Sequence, residues 1–192
     1  MDHNSIQVYK EALIEHYSNV WGRNFREKKW ATGPMKALSP DFSILEFAPN
    51  EKRKMWTYST CCMSTFTHLH PIELHLFSLK QDDSILEVLT VVSYYHNTED
   101  NINLGHTVNF GQPWQGSSIC SYGLISLPYL DGPDVEIVKP QADNLKTIHC
   151  YWLIPISKAE LDFKKQFGLE ALEQKFDEIP FDYVDPHRAS II

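Results

Sequence analysis

The segment IHCYWLIPISKAE, residues 148–160, constrains the fold more than any other. Its first nine residues are apolar almost throughout and do not alternate with polar ones. A strand with one wet face alternates, so this run reads as a strand in the interior of a sheet. At Ser157 the pattern stops. Ser157 and Glu160 have capping-box spacing, which opens an amphipathic helix. Gly168 interrupts that helix, and Leu169, Leu172 and Phe176 continue a second helical stripe. The chain therefore builds a sheet with helices packed against it.

The remaining segments fit that plan. Asn4 or Ser5 can cap a first helix, Asn4 having capping-box spacing to Gln7. Ile6, Tyr9, Leu13, Tyr17, Val20 and Trp21 form its apolar face, and Gly22 is placed to end it. REKKWATGPMKALSP, broken by Gly33, Pro34 and Pro40, reads as a connection. FSILEF (42–47), WTYSTCCM (56–63) and IELHLFSL (72–79) read as strands, the second with Trp56, Tyr58, Thr60 and Cys62 on one face. Ser84 and Glu87 again have capping-box spacing. They precede a stripe of Ile85, Val88, Leu89, Val92 and Tyr95 or His96. HTVNF (106–110), ICSYGLISL before Pro128, and VEIV (135–138) complete the strands. The expectation is α+β: a single domain over residues 1–192, with a central mixed or antiparallel sheet flanked by helices.

Composition excludes several function classes. With 43% apolar and 22% charged residues the chain reads as a soluble globular protein. MDHNSIQVYK has no basic region followed by an apolar run, and no apolar stretch approaches the ~20 residues of a membrane span. A cytoplasmic location is expected. Cys61, Cys62, Cys120 and Cys150 include no CxxC pair, so buried free thiols are expected. Residues 81–143 carry nine acids against one base, Lys139, and alone account for the formal net charge of −8. Direct nucleic-acid binding is not expected, because it needs clustered lysine and arginine.

Three stretches carry residue types that could support chemistry. HLHPIELH (68–75) offers His68, His70, Glu73 and His75 to a metal such as Zn²⁺ or Fe²⁺. Alternation places His68 and His70 on one face and Glu73 and His75 on the other, unless a bulge at Pro71 shifts the phase. The spacing also differs from the cupin motif. GQPWQGSS approaches a P-loop but has Ser117 where the phosphate-binding lysine belongs, so it reads as a structural turn. No GxSxG elbow occurs, and Cys150 and His149 are strand neighbours pointing to opposite faces. No cofactor is expected.

Taken in order, the segments resemble the suppressor-of-fused domain family. WTYSTCCMS, HPIELHLFS, ILEVLTVVSYYH, LGHTVNFGQPWQGSS, ISLPY, YWLIPISKAELDFKKQFGLEALEQKF and the terminal DPHRAS carry the likeness. They span about residues 40–192 and leave residues 1–39, the first helix and its connection, outside. The resemblance implies a mixed sheet and a binding function rather than catalysis. Animal members clamp a peptide segment of a transcription factor with the help of a second domain, for which this chain has no room. Compact bacterial members resemble immunity proteins, antitoxins that neutralise a cognate secreted toxin, often a nuclease, in some cases one exported by an LXG-type domain.

The charge pattern is compatible with that role. A nuclease surface that holds phosphate is basic, and an acidic inhibitor associates with it quickly. The residues expected to meet such a partner are Asp82, Asp83, Glu99, Asp100, Asp131, Asp134 and Glu136. Two other readings stand beside it. One is a metal-dependent enzyme using the His68/His70/Glu73/His75 cluster. The other is an adaptor that adds a peptide strand to a sheet edge.

Overall fold

In the computed structural model the run at 148–157 is an interior strand of an eight-stranded mixed sheet. The structure describes residues 3–33, 38–65, 68–98, 101–142 and 144–192. The strands are β1 (Phe25–Lys28), β2 (Ser43–Phe47), β3 (Trp56–Cys61), β4 (Ile72–Ser78), β5 (Thr107–Asn109), β6 (Cys120–Ser126), β7 (Ile137–Val138) and β8 (Ile148–Ser157). They run in the order β1-β2-β3-β4-β8-β6-β5, with β7 paired to β8. β4 and β8 are parallel. The other pairs are antiparallel. Glu99 and Asp100 lie outside the described residues, as does Pro34 of the expected connection.

Helices cover both faces, which is why β4 and β8 are buried on both sides. α2 (Ser84–Thr98) lays Ile85, Leu89 and Val92 over Ile72, Leu74, Leu76 and Leu153. On the opposite face, α1 (His3–Trp21) buries Tyr9, Leu13, Tyr17 and Trp21, each four residues after the last, against Leu45, Phe47 and Cys150. Beside it, α4 (Lys158–Phe167) and α5 (Leu169–Glu178) set Leu161 and Leu172 against Phe77, Trp152 and Ile154. Burying each such side chain contributes roughly 1.5–3 kcal/mol.

β8 contains Pro155, a residue that interrupts ladders. It is accommodated because the pairing with β4 ends at Trp152, and because its β6 partner is Gly123. A Cβ on Gly123 would stand 2.6 Å from Leu153 Cδ1 and 2.7 Å from the Phe110 ring, so only glycine fits there.

The capping box of α4 is present in full. Ser157 Oγ accepts from the Glu160 N–H at 3.2 Å, and Glu160 Oε2 accepts from the Ser157 N–H at 2.7 Å. Five local expectations need correction. α1 already begins at His3, so Asn4 and Ser5 lie inside the helix and not at its cap. α2 is not capped by Ser84. Asp82 Oδ1 accepts the Ser84 N–H at 2.9 Å, and Ser84 Oγ donates to the Trp114 carbonyl. VEIV is split, because Pro133 at the start of a helical turn makes α3 (Pro133–Glu136) and leaves only Ile137–Val138 extended. Phe25–Lys28, read as connection, is an edge strand whose outer side faces water, which explains its polarity. β3 ends at Cys61. Cys62 takes φ 63° and joins Cys61 in the cluster under α1, not the face of Tyr58.

Candidate functional site

The histidine-rich segment does not assemble into a metal site. Glu73 and His75 are buried on the α1 face of β4. His68 stands on the α2 side, stacked on His96 at 4.8 Å, with its Nδ1 accepting the Thr65 N–H. His70 is exposed and precedes the strand. Pro71 produces no shift of phase. Its carbonyl accepts from the His149 N–H, and β4 begins at the next residue. Among the described residues no three histidines, cysteines or acids are grouped to hold a metal ion.

Glu73 is instead a framework group. Its carboxyl accepts from Thr60 Oγ1 at 2.5 Å, from the Met63 N–H at 3.0 Å and from Tyr9 OH at 3.3 Å. The left-handed turn at Cys62 delivers the Met63 N–H, and Tyr9 brings α1 to the sheet. Burial pushes the Glu73 carboxyl up to about 8 against the pull of these hydrogen bonds, so it is mostly neutral at pH 7. His75 is driven the other way, to about 3, by burial and then by the charge of Arg53. It packs as a neutral ring between Trp21 and Phe77, and neither nitrogen has a hydrogen-bond partner among the described residues. All four cysteines are free and buried. Burial raises Cys150, and a neighbouring Cys62 with burial raises Cys61, so neither is an activated nucleophile. GQPWQGSS is a structural loop: Trp114 enters the core, and Gln115 Nε2 donates to Ser78 Oγ and Asp82 Oδ2.

The expected acidic residues fall on two faces of the sheet. Asp82 and Asp83 open α2 on one side. Asp131, Asp134 and Glu136 sit in the α3 segment, which packs beside α1 on the other. Asp82 is committed to Ser84 and Gln115. Asp83 is exposed and lies 3.4 Å from Lys28 Nζ. Asp134 is exposed and Glu136 half-buried. Asp131 is not a surface charge. Its side chain is 3% exposed, forms an ion pair with Arg53, and accepts from Trp21 Nε1 at 3.1 Å.

That ion pair marks a seam between the α1 cluster and the α4–α5 cluster. The Arg53 guanidinium lies 5.9 Å from the Trp21 ring of the first and 5.1 Å from the Phe77 ring of the second. Beside it opens a cleft that the sequence did not suggest. One part, about 430 Å³, is floored by Trp152 and Ile154 of β8 and walled by Phe176 of α5 and by Phe181 and Tyr183 of the C-terminal segment. Glu173 and Asp177 of α5 stand on the same wall. A second part, about 370 Å³, shares Leu130 and Tyr183 with the first and continues toward Lys52, Arg53 and Lys54. The rim is apolar and open to solvent: Tyr129 is 61% exposed, Leu79 52% and Leu130 43%. A larger opening of about 550 Å³, between the end of α1 and the 48–53 turn, is bordered mainly by polar residues. Burial raises Glu173, the charge of Asp177 adds to this, and the Ser126 and Tyr129 hydroxyls oppose it. Only segments distant in sequence form this cleft, so no local motif announces it. No helix of the described residues is long and apolar enough to cross a membrane.

Comparison with known proteins places this architecture. A family model described as suppressor of fused protein (SUFU) matches residues 39–189. The crystal structure of a SUFU homolog from Neisseria gonorrhoeae superposes with a TM-score of 0.82 at 29% identity, over 97% of this chain and 98% of that one. A chain of the Sufu–Fu complex gives 0.68 at 13% identity, over 95% of this chain and 92% of that one. Drosophila Suppressor of Fused gives 0.66 at 13% identity, over 94% of this chain and 50% of that one. At 13% identity these last two show the fold alone. No curated protein matches the sequence.

Proposed function

This chain belongs to the suppressor of fused family, and from that premise we propose that it works by binding another protein through the Trp152–Tyr183 cleft. The observation that carries this is the open apolar rim. Tyr129, Leu130 and Leu79 are exposed together around a preformed aromatic cavity, and large apolar side chains clustered at an opening mark interaction sites. The likeness to a chain of the Sufu–Fu complex supports a protein partner. The partner we propose is a cognate secreted toxin of the LXG type with a nuclease domain, neutralised by direct contact inside the cell. The net charge of −8 supports it, because a phosphate-binding nuclease surface is basic. Aromatic anchors in the cleft would hold the complex, and exposed acids such as Asp83 and Asp134 would speed encounter.

The test is co-expression with the C-terminal domain of a large secreted reading frame adjacent to this chain's gene, the location expected of a cognate toxin. Growth should stop with the toxin domain alone and resume with both. Asp83→Lys and Asp134→Lys should each slow association about two- to fivefold at low salt, with little change in dissociation. Arrest that persists in the presence of this chain would dismiss the toxin as partner. Unchanged association of both variants would dismiss the steering role of these acids.

A further inference from the structure

The chain uses one recognition chemistry twice within its own fold. Arg53 rests on the Trp21 and Phe77 rings while paired to Asp131. Arg188 rests 5.0 Å from the Phe181 ring centroid while paired to Glu160. In each case a guanidinium lies over an aromatic face beside a carboxylate, and at Arg188 the carboxylate takes both terminal nitrogens as a fork, the arrangement that distinguishes arginine from lysine.

The Trp152 cavity repeats these components. Trp152 and Tyr183 meet edge to face at 5.2 Å, and Phe176 and Phe181 lie 4.7 Å apart, so rings form a continuous wall. Glu173 and Asp177, one helical turn apart on α5, bring two carboxylates to the same opening. Among the described residues no lysine or arginine lines this part of the cleft or forms an ion pair with either acid. Tyr129, on the rim, lies close enough to Glu173 for their hydroxyl and carboxyl to influence one another.

We propose that this cavity is the receptor for an arginine side chain of the partner protein, its guanidinium stacked on the Trp152/Tyr183 wall and paired with Glu173 and Asp177. Its flanking apolar residues would cover Tyr129 and Leu130. This rests on the protein-binding reading above and names the anchor that reading requires. The second part of the cleft, with Lys52 and Lys54, disfavours a further cation there, so the arginine is followed on that side by neutral or acidic residues.

The probe is a blocked five-residue peptide with a central arginine between leucines, compared with the same peptide carrying neutral, isosteric citrulline. Each is titrated to millimolar concentration into the whole chain and followed by amide and indole NMR shifts. The arginine peptide should move the Trp152 indole and the Glu173 and Tyr183 amides and bind about tenfold tighter than the citrulline peptide. Glu173→Gln/Asp177→Asn should remove that preference without changing the melting temperature. Equal binding of the two peptides, shifts located elsewhere, or no shifts at all would overturn the assignment. Toxin neutralisation is measured separately. An arginine site that binds in a chain giving no protection leaves the pocket standing and removes the toxin; the reverse result removes only the pocket.

Discussion

Replacing Arg188 by leucine is expected to destabilise the fold by about 3–5 kcal/mol, because it leaves a carboxylate buried without its counter-charge. Glu160 is fully buried at the first turn of α4 and holds Arg188 as a fork, Nη1 to Oε1 at 2.7 Å and Nη2 to Oε2 at 2.8 Å. Arg188 also donates to the Pro155 carbonyl, and Glu160 accepts from the Ile191 N–H. One pair thus ties the C-terminal segment to the end of β8 and the start of α4, and with it Phe181 and Tyr183 of the cleft. Burial alone would raise the Glu160 carboxyl. Hydrogen bonds and charge from Arg188 hold it below its ordinary value instead. That stability is present above the unfolded carboxylate range and is lost as pH falls through the folded value. Arg188→Lys keeps the charge but not the fork and should recover only part of the loss. Chemical denaturation measures these differences. A loss under about 1 kcal/mol for Arg188→Leu would mean the pair contributes little.

The second large effect is a pH profile. Glu73 has an ordinary value near 4.5 when unfolded and about 8 when folded. Between those limits the folded state holds a proton that the unfolded state has released, so its contribution declines as pH rises. His75 and His96 act in the opposite sense. Burial lowers them from 6.5 to about 3 and about 4, so they favour unfolding as pH falls below 6.5. The two effects oppose one another, and above pH 6.5 the histidine effect fades as the unfolded imidazoles lose their remaining protons, leaving Glu73 dominant. Stability should therefore peak near pH 6.5 and fall by about 1 kcal/mol by pH 8. Glu73→Gln should flatten the fall above pH 6.5 and melt higher than the parent at pH 8. Glu73→Ala should be destabilised at every pH, since the Met63 N–H and the Thr60 hydroxyl lose their acceptor. A parent chain equally stable at pH 6.5 and 8 would refute the neutral carboxyl.

The parts of the fold with local causes were legible in the sequence. The stripe of α1, the capping box at Ser157 and the unbroken apolar run of β8 each depend on near neighbours. Glu73 and His75 share one face of β4, as alternation requires, whereas His68 and His70 stand apart because they precede the strand. The cap of α2 and the split of VEIV have local causes in Asp82 and Pro133, whereas the larger failures come from contacts between distant segments. Phe25–Lys28 looks polar because one side of it pairs with β2 and the other meets water. Asp131 reads as a surface acid, yet Arg53, 78 positions away, takes its charge. In the sequence Arg188 stands out only through the likeness of DPHRAS, and its partner Glu160 only as a helix cap; their pairing is tertiary. The cleft joins β8, α5 and the C-terminal segment, so its aromatic residues carry no shared spacing.

A chain that acts by occupying its proposed partner, rather than by catalysis, inhibits in stoichiometric proportion, and titrating purified chain against a fixed amount of the toxin domain measures this. Residual toxin activity should fall in proportion to added chain and vanish at a fixed molar equivalence, with the complex isolable by size. Full inactivation at a small fraction of an equivalent, or none at any ratio, would rule out neutralisation by occupancy.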